Sequence, residues 1–321
     1  MSHERVAVLG AGGWGTALTV ILSQQKRTVH LWARRPELAW QLRESRENGD
    51  YLPGVSIPGD VCITSHLGEA LTDVGLVFIA VPSVGVTELL SRLPKDKGIV
   101  LCAKGLTAQG IAFSEWAKTE GWDRVAVLSG PNHAEEIARL LPAATVVASQ
   151  DKAFAKQVQS VLKAPSFRVY TSTDVTGVEL GGVIKNVIAL AAGMLDGLGA
   201  GDNAKAALVT RGLVEMRRYL CHQGAQEETV YGLSGLGDLV ATCTSPHSRN
   251  RAAGEAIAKA ENPLQGGRVV EGMRTAERIF EWSVAQNVEL PIVSSVARIL
   301  KGELSVRGAL AEVMDRPAKP E

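Results

Sequence analysis

Short apolar runs alternate with helix-like segments along the first half of the chain. The runs are nearly continuous and rich in β-branched residues, as in the strands of a parallel sheet that is covered on both faces. They occupy residues 6–9, 29–33, 75–81, 98–103, 125–129 and 144–148, and the clearest helical patterns between them cover 14–25 and 36–47. This alternation predicts an N-terminal doubly wound α/β domain.

The pattern changes after about residue 172, where convincing strand runs stop. Helical periodicity then dominates, and helices are predicted at 179–195, 203–223, 248–260, 273–286 and 292–300. We therefore predict two domains, an α/β domain over residues 1–172 and an all-helical C-terminal domain over residues 173–321.

Composition and charge narrow the classes of function. The 321 residues include 34 Lys plus Arg and 34 Asp plus Glu, so the formal net charge is zero. This balance excludes a broadly basic nucleic-acid-binding protein and an acidic disordered chain, although it leaves room for a local basic site. We therefore expect no nucleic-acid partner.

Other features of the sequence favour the cytoplasm. The N-terminus does not resemble a signal peptide, and the most apolar stretch, 183–201, is interrupted by Lys185, Asn186 and Asp196, so no integral membrane segment is expected. The cysteines are far apart and form no C-x-x-C pair, which favours reduced thiols over a disulfide framework or a metal site. They are Cys62, Cys102, Cys221 and Cys243.

A glycine-rich turn is the first candidate site. Gly10, Gly12 and Gly15 form the pattern G-x-G-x-x-G between a predicted strand and a predicted helix. Such a turn lets a dinucleotide pyrophosphate approach the backbone N–H groups and the positive end of the helix dipole. The pattern therefore predicts dinucleotide binding, and the alternative is a purely structural glycine turn.

The end of the second predicted strand indicates which dinucleotide is bound. NAD-binding proteins usually carry an Asp or Glu there for the ribose 2′-hydroxyl, whereas this chain has Arg34 and Arg35. Two guanidinium groups suit a 2′-phosphate, so NADP is predicted as the preferred cofactor, with NAD also accepted. The alternative is a pair of solvated arginines in front of a helix. The loop 81–83, after another strand, either lines the same crevice or simply ends that strand.

Two loops and one helix supply candidate groups for the chemistry. Lys104 follows an apolar run and can hold an anionic substrate, and the loop 129–135 can bind substrate or cofactor through its N–H groups; otherwise each is an ordinary turn. Lys185 and Asn186 interrupt an apolar helix, where burial brings an amine nearer to the working pH for proton transfer with an alcohol. The other interpretation is a lysine that extends out of an apolar face.

The segment 235–250 carries a second polar cluster. Asp238 can orient the lysine ammonium, while Ser248, Arg249 and Asn250 stand at the start of a predicted helix, where phosphate groups bind. The alternative is an N-cap serine followed by surface polar residues.

Seven short segments together carry a family resemblance. They are, in order, GAGGWGTA at 10–17, YLPG at 51–54, AKGL at 103–106, SGP at 129–131, IKNV at 184–187, GLGDLVATCTSPHSRN at 235–250 and VVEG at 269–272. This ordered set, spread over nearly the whole chain, resembles the NAD(P)-dependent glycerol-3-phosphate dehydrogenases of the bacterial type. The resemblance implies a Rossmann-like first domain that binds NAD(P) and a helical second domain that binds substrate and carries out catalysis.

The resemblance also implies a role for each matching position. Lys185 is the expected proton donor and acceptor, with Asp238 and Lys104 as further catalytic residues, and no metal is expected. The implied cofactor-binding residues are Gly10, Gly12, Gly13, Trp14, Gly15, Arg34, Arg35, Lys104, Ala134, Arg249, Val269 and Glu271. The implied substrate-binding residues are Lys104, Gly130, Asn132, Lys185, Asn186, Asp238, Ser248, Arg249 and Asn250.

Two positions depart from the family pattern. Gly13 stands where a serine is common, which removes a hydroxyl that would bond a phosphate. Asn132 and His133 replace a small polar residue followed by phenylalanine, which changes the side chains that this loop presents.

The implied reaction is the reversible NAD(P)H-dependent reduction of dihydroxyacetone phosphate to sn-glycerol 3-phosphate, a precursor of glycerophospholipids. The expected partner is thus a small phosphate-bearing substrate, and a homodimer in the cytoplasm is also expected. Three alternatives stay open: another two-domain β-hydroxyacid-type dehydrogenase, a non-catalytic NADP-sensing module, and a structural helical interaction domain. A sensing module needs neither a Lys185–Asp238 pair nor an anion site at 248–250.

Overall fold

A computed structural model describes residues 5–25, 27–264 and 269–315, and within these ranges ten strands are found. They are β1 (Arg5–Leu9), β2 (Val29–Trp32), β3 (Glu47–Asn48), β4 (Leu52–Ser56), β5 (Cys62–Thr64), β6 (Val74–Ile79), β7 (Gly98–Leu101), β8 (Val125–Ser129), β9 (Ala143–Ala148) and β10 (Phe167–Ser172). β3 and β4 form a small antiparallel pair, and the other eight strands form one sheet. The six predicted runs correspond to β1, β2, β6, β7, β8 and β9.

The order of strands in the large sheet is β10-β9-β8-β7-β6-β1-β2-β5. β1 has β2 on one side and β6 on the other, so the winding of the chain reverses between β1 and β6. In a doubly wound sheet the ligand crevice opens at the carboxyl ends of the strands at such a reversal. The predicted doubly wound fold is therefore confirmed, and it places the crevice at the ends of β1 and β6.

One part of the sheet is not parallel. β9 pairs antiparallel with β8, and β10 pairs parallel with β9, so these two strands run against the rest of the sheet. The expectation of a parallel strand at 144–148 is therefore wrong. The short connection 130–142 turns the chain straight back beside β8, whereas a parallel neighbour needs a crossover over a face of the sheet.

Helices cover both faces of the sheet. Those in the first half of the described chain are α1 (Gly13–Ser23), α2 (Pro36–Ser45), α3 (Leu67–Ala70), α4 (Val86–Ser91), α5 (Phe113–Thr119), α6 (Ala134–Ala138) and α7 (Lys152–Leu162). α1 and α2 match the predicted helices to within two residues. The sequence pattern predicts none of α3 to α6 and β3 to β5, since such short elements show too little periodicity. It also does not predict α7 and β10.

Among the described residues after Ser172, the regular secondary structure consists of helices joined by turns and loops. They are α8 (Val175–Leu198), α9 (Gly201–His222), α10 (Glu227–Val230), α11 (Asp238–Thr244), α12 (Arg249–Ala258), α13 (Glu271–Ala285), α14 (Pro291–Leu300) and α15 (Val306–Met314), with a π-helical turn at Leu233–Gly237. The predicted helical C-terminal region is confirmed, and its five predicted helices correspond to α8, α9, α12, α13 and α14. The exact division into 1–172 and 173–321 stays a prediction.

The central helix of this region is α8. Asp174 caps its first turn, and Gly199 ends it in the left-handed conformation with φ of 67°. Although α8 is long and apolar enough to cross a membrane, 94% of its most apolar window is buried inside the protein, as in the core helix of a globular fold. α12 packs on it so closely that a Cβ atom at Gly193 would lie 1.8 Å from the carbonyl oxygen of Arg251.

Apolar side chains fill both faces of the sheet and the interior of the helical region. Leu18 and Phe78 are fully buried on one face, Ile79 and Phe113 on the other, and Ile184 in the helical core. The polar groups buried between these clusters, on α8 and α11, are therefore exceptions that call for a chemical explanation.

Candidate active site

The turn between β1 and α1 is shaped by two of its glycines. Gly10 has φ of +119°, a conformation that side chains disfavour, and a Cβ atom at Gly15 would lie 1.7 Å from the carbonyl oxygen of Gly10. The chain therefore turns tightly from strand to helix, and the start of α1 points into the crevice at the end of β1.

Gly12 is a glycine for a different reason. Its φ of −82° suits any residue, and no protein atom lies within 4 Å of the position of a Cβ atom. No described side chain caps α1, so its first N–H groups face this open space. The bare backbone and the free N–H groups leave room for an anionic group, and the turn fits a dinucleotide pyrophosphate.

Tyr51 explains the glycine at position 13. A Cβ atom at Gly13 would lie 2.9 Å from the carbonyl oxygen of Tyr51, so the serine that is common in the family would crowd this site. The Tyr51 hydroxyl accepts a hydrogen bond of 3.4 Å from Arg35, which with Arg34 is exposed directly after β2. Tyr51 was not assigned from the sequence, although the conspicuous YLPG segment was the available signal. It connects the pyrophosphate turn to the arginine pair.

Trp14 and Ala134 lie on either side of the same turn. Trp14, in the first turn of α1, packs partly buried against the apolar cluster on that face of the sheet. Ala134 begins α6, and its Cβ atom lies 3.8 Å from the Cβ position of Gly13. Both predicted cofactor positions therefore border the candidate pyrophosphate site.

Three charged side chains meet where the sheet contacts the helical region. Lys104 follows β7, Lys185 comes from α8, and Asp238 is the first residue of α11. The ammonium Nζ of Lys104 lies 2.6 Å from Oδ2 of Asp238, and that of Lys185 lies 3.0 Å from Oδ1. Lys104 also donates to the carbonyl oxygen of Gly130 at 2.9 Å. Four of the predicted site residues are thus brought into one network.

Thr242 completes the environment of the Lys185 ammonium. Lys185 Nζ donates to Thr242 Oγ1 at 2.6 Å, and this hydroxyl in turn donates to the carbonyl oxygen of Asp238 at 2.6 Å. Thr242 was not assigned as a site residue from the sequence. Its position four residues after Asp238 on one helix was the available signal, because such residues share a face.

Burial sets the protonation of this cluster. It lowers the pKa of Lys185 to about 8, with a further contribution from the positive charge of Lys104 and opposition from Asp238. Burial also acts to raise the pKa of Asp238, but the two ammonium groups outweigh it and hold that pKa below its usual value. The site therefore holds a carboxylate and, near neutral pH, an ammonium whose proton is easily given up.

A chain of amide hydrogen bonds connects the backbone of Lys104 to the helical region. Asn186 Nδ2 donates to the carbonyl oxygen of Lys104 at 3.1 Å, and its Oδ1 accepts from Asn250 Nδ2 at 2.8 Å. Asn250 Oδ1 accepts from the N–H of Gly272 at 2.9 Å. The side chain of Asn186 therefore holds the Lys104 loop and the start of α12, whereas Asp238 and Thr242 bond the Lys185 ammonium.

The loop after β8 faces this cluster. Asn132 Nδ2 donates to Thr145 Oγ1 at 2.9 Å, and among the described residues neither Asn132 Oδ1 nor Ser129 Oγ has a hydrogen-bond partner. His133 Nε2 lies 3.3 Å from the carbonyl oxygen of Ala241 on α11, and burial lowers the pKa of His133. A neutral His133 with a proton on Nε2 therefore connects this loop to α11.

The start of α12 combines a cap with a cation. Ser248 is buried, and its hydroxyl oxygen accepts a hydrogen bond from the N–H of Arg251 at 3.2 Å. Ser248 is therefore the N-cap of α12, as one of the two interpretations of the sequence expected. The side chain of Arg249 is exposed beside it. A phosphate placed here would meet a helix N-terminus and a guanidinium group.

Glu271 joins the helical region to the loop after β6. Its Oε1 accepts from the N–H of Ser83 at 3.0 Å, and its Oε2 accepts from the Ser83 hydroxyl. Val269, half-buried, lies two residues before α13 begins. The 81–83 loop thus does more than end a strand, since it holds a residue that was expected at the cofactor.

No group of three His, Cys, Asp or Glu side chains in the described ranges could hold a metal ion. The described groups, two lysines, a carboxylate and a helix N-terminus with an arginine, offer anion binding and proton transfer beside an open turn that fits a dinucleotide.

Comparison with known proteins gives consistent results. Two protein-family models match, the N-terminus of NAD-dependent glycerol-3-phosphate dehydrogenase over residues 5–155 and its C-terminus over residues 174–311. A glycerol-3-phosphate dehydrogenase [NAD(P)+] of Deinococcus radiodurans is 62% identical over 98% of this chain and 96% of its own length. A glycerol-3-phosphate dehydrogenase [NAD(P)+] of Thermus thermophilus is 48% identical over 99% of this chain and 100% of its own length.

A solved structure is similar over the same extent. The crystal structure of glycerol-3-phosphate dehydrogenase from Coxiella burnetii is 36% identical to this chain. It covers 98% of this chain and 99% of its own, with a TM-score of 0.93. The two-part architecture is therefore shared along the whole chain.

Proposed function

The chain belongs to the NAD-dependent glycerol-3-phosphate dehydrogenase family, and from this premise we propose how its own residues carry out the reaction. It is an oxidoreductase that interconverts dihydroxyacetone phosphate and sn-glycerol 3-phosphate, with NAD or NADP as its cofactor. Three alternatives are set aside: a β-hydroxyacid-type dehydrogenase, a sensing module and a structural domain. The reason is that a glycerol-3-phosphate dehydrogenase [NAD(P)+] is 62% identical to this chain over almost its whole length.

The observation that carries the proposed mechanism is the buried Lys185 ammonium, held 3.0 Å from Asp238 and 2.6 Å from Thr242. When bound, the reduced cofactor supplies a hydride to the carbonyl carbon of dihydroxyacetone phosphate. Lys185 donates its proton to the carbonyl oxygen as negative charge develops there, and in the reverse direction it accepts the alcohol proton. Asp238 and Thr242 fix the direction of the ammonium, so that it needs no reorganisation during the reaction.

Substrate binding is assigned to the cations and amides around this ammonium. Arg249, Ser248 and Asn250, at the start of α12, bind the phosphate group. Lys104, with Gly130 and Asn132 from the neighbouring loops, contacts the rest of the substrate, and Asn186 holds Lys104 in place through its carbonyl oxygen.

Cofactor binding is assigned to the crevice at the end of β1. The open turn formed by Gly10, Gly12, Gly13 and Gly15 receives the pyrophosphate, flanked by Trp14 and Ala134. Arg34 and Arg35 favour NADP over NAD, because a guanidinium pair offers charge-assisted hydrogen bonds to a 2′-phosphate. Lys104, from the sheet side, and Arg249, Val269 and Glu271, from the helical region, complete the contacts to the cofactor. Closure of the helical region onto the sheet excludes water from the reacting atoms.

The proposal extends to the setting of the enzyme. We place it in the cytoplasm as a homodimer, where its product supplies glycerophospholipid synthesis. The burial of the long apolar helix α8 inside the protein supports the cytoplasmic part of this assignment.

The pH dependence of the two directions tests the role of Lys185. Reduction requires protonated Lys185, so its rate is expected to be full below the pKa of about 8 and to fall as the pH rises through that value. Oxidation requires the neutral amine and is expected to rise through the same range. Steady-state kcat, measured in both directions between pH 6 and about 10, tests both pH dependences.

The variant Lys185→Met keeps the length of the side chain but has no proton to transfer. We expect kcat for reduction to fall about 100- to 10,000-fold, while NADPH still binds with a similar Kd in a fluorescence titration. A variant that turns over at nearly the rate of the parent, with both pH limbs unchanged, would show that Lys185 is not the proton donor.

A further inference from the structure

Asp196, in the last turn of α8, binds two cations outside the site described above. Its Oδ1 lies 2.5 Å from Nζ of Lys205 on α9, and its Oδ2 lies 2.6 Å from Nη1 of Arg251 on α12. The three side chains are only 18–20% exposed. A carboxylate at a helix C-terminus opposes the helix dipole, so its stability there depends on these two partners.

The ionisation of Asp196 is secured by the same contacts. Burial acts to raise its pKa, but the hydrogen bonds from Lys205 and Arg251 outweigh it and hold the pKa below the usual value. Asp196 is therefore a fixed negative charge at neutral pH.

Arg251 extends this ion pair to the loop that connects α11 to α12. Its Nε donates to the carbonyl oxygen of Ser245 at 3.1 Å, and its backbone N–H donates to the hydroxyl of Ser248 at 3.2 Å. Ser245 follows the helix that carries Asp238, and Ser248 begins the helix that carries Arg249. One arginine thus contacts both ends of the loop between the two parts of the site.

The direction of the Arg251 guanidinium depends on Asp196. Another acid near it is Glu255, whose Oε2 lies 3.8 Å from Nη1, one turn further along α12 and away from the loop. If the charge of Asp196 is removed, Glu255 remains to attract the guanidinium, and the bond to Ser245 is expected to weaken.

We infer that Asp196 is a positioning residue for substrate binding: by holding Arg251 against the 245–248 loop, it fixes the phosphate-binding start of α12 relative to the proton donor. This inference rests on the phosphate site proposed above at Ser248, Arg249 and Asn250. It acts through geometry, since Asp196 itself contacts neither ligand in this arrangement. Loss of the contact is therefore expected to weaken substrate binding far more than cofactor binding, because the cofactor keeps its contacts at the turn between β1 and α1.

The test compares variants of the full chain by steady-state kinetics. Asp196→Asn keeps the shape of the side chain and removes its charge. We expect the KM for dihydroxyacetone phosphate to rise about 10- to 100-fold, the size of effect expected when charge-assisted hydrogen bonds to a phosphate are weakened. The kcat and the KM for NADPH are expected to stay within about threefold, and Asp196→Glu to recover most of the lost affinity.

Lys205→Gln is the matched control, since it removes the other partner of the same carboxylate without touching the loop. Its KM for dihydroxyacetone phosphate is expected to stay within about twofold of the parent. An unchanged KM in Asp196→Asn overturns the inference. So does a parallel rise in both KM values with a lower Tm, which would show a merely structural role.

Arg249→Gln separates this inference from the assignment on which it rests. If Arg249→Gln leaves the KM for dihydroxyacetone phosphate unchanged, the proposed phosphate site is wrong and the inference fails with it. If Arg249→Gln raises this KM and Asp196→Asn does not, the phosphate site stands and only the role of Asp196 is refuted.

Discussion

At the scale of single residues, the site holds a surplus of buried positive charge. Lys104 and Lys185 share one carboxylate, that of Asp238, and a buried charge without a partner is costly. The surplus favours a substrate that brings its own negative charge. Burial lowers the pKa of Lys185, and the positive charge of Lys104 adds to this effect, so the same arrangement serves binding and proton transfer.

The arginine pair after β2 carries the prediction of cofactor preference. Replacing both Arg34 and Arg35 by alanine removes the groups that are expected to bond a 2′-phosphate. Because a hydrogen bond between charged groups contributes about 1.5–3 kcal/mol, kcat/KM with NADPH is expected to fall at least about tenfold. The value with NADH is expected to stay within about threefold.

An exposed arginine elsewhere provides the control. Arg92→Ala, at the end of α4, is expected to change neither value. Equal losses with NADPH and NADH in the double variant would contradict the 2′-phosphate assignment.

At the scale of elements, α8 is both the core helix of the helical region and the helix that carries Lys185 into the active site. Gly182 lies under the catalytic cluster, where a Cβ atom would lie 2.6 Å from Ser129 Oγ and 3.4 Å from Cγ of Lys104. A glycine in mid-helix costs about 1 kcal/mol relative to alanine. Because this glycine has no side chain, the ends of β7 and β8 approach the helix closely, and Lys104 contacts Asp238.

Gly182→Ala tests this packing. The added methyl group must displace Ser129 Oγ, whereas Lys104 Cγ stays at an ordinary contact distance, so we expect kcat/KM to fall about two- to tenfold and the free energy of unfolding to drop by at most about 1 kcal/mol. Gly68→Ala in α3, with no neighbour within 4 Å of its Cβ position, is expected to be neutral or stabilising. Full activity in Gly182→Ala would mean that the close approach has no functional role.

At the scale of the whole molecule, the site exists only where the two parts of the chain meet. Lys104 from the sheet domain pairs with Asp238 from the helical region. Glu179 on α8 accepts the N–H of Ser114 on α5 at 3.2 Å, and burial raises its pKa to about 7. These contacts hold the walls of the crevice together in addition to the apolar packing.

The Ser83–Glu271 contact allows a test of coupling between the two parts. A double-mutant cycle with Ser83→Ala and Glu271→Gln, followed by urea unfolding, is expected to give an interaction energy of about 1.5–3 kcal/mol. The control cycle pairs Glu271→Gln with Ser91→Ala, whose hydroxyl bonds the nearby carbonyl oxygen of Glu88, and we expect additivity. Additive effects in the first cycle would show that this contact does not join the parts.

The sequence by itself determined much of the fold and of the site. Local patterns predicted the strands β1, β2 and β6 to β9, the helices α1, α2, α8, α9 and α12 to α14, and the candidate groups Lys104, Lys185 and Asp238. They could do so because periodicity and loop composition are properties of neighbouring residues. The glycine turn was likewise predicted, since its spacing reports the conformation of a few consecutive residues.

Only the tertiary structure decided how these groups are connected. It assigned Thr242 to the Lys185 ammonium, directed Asn186 toward the Lys104 loop, and reversed the direction of β9 and β10. It also joined Asp196 to Arg251 across two helices. Hydrogen bonds of this kind depend on distances between residues that lie 50 or more positions apart, and no local pattern of a single sequence specifies those distances.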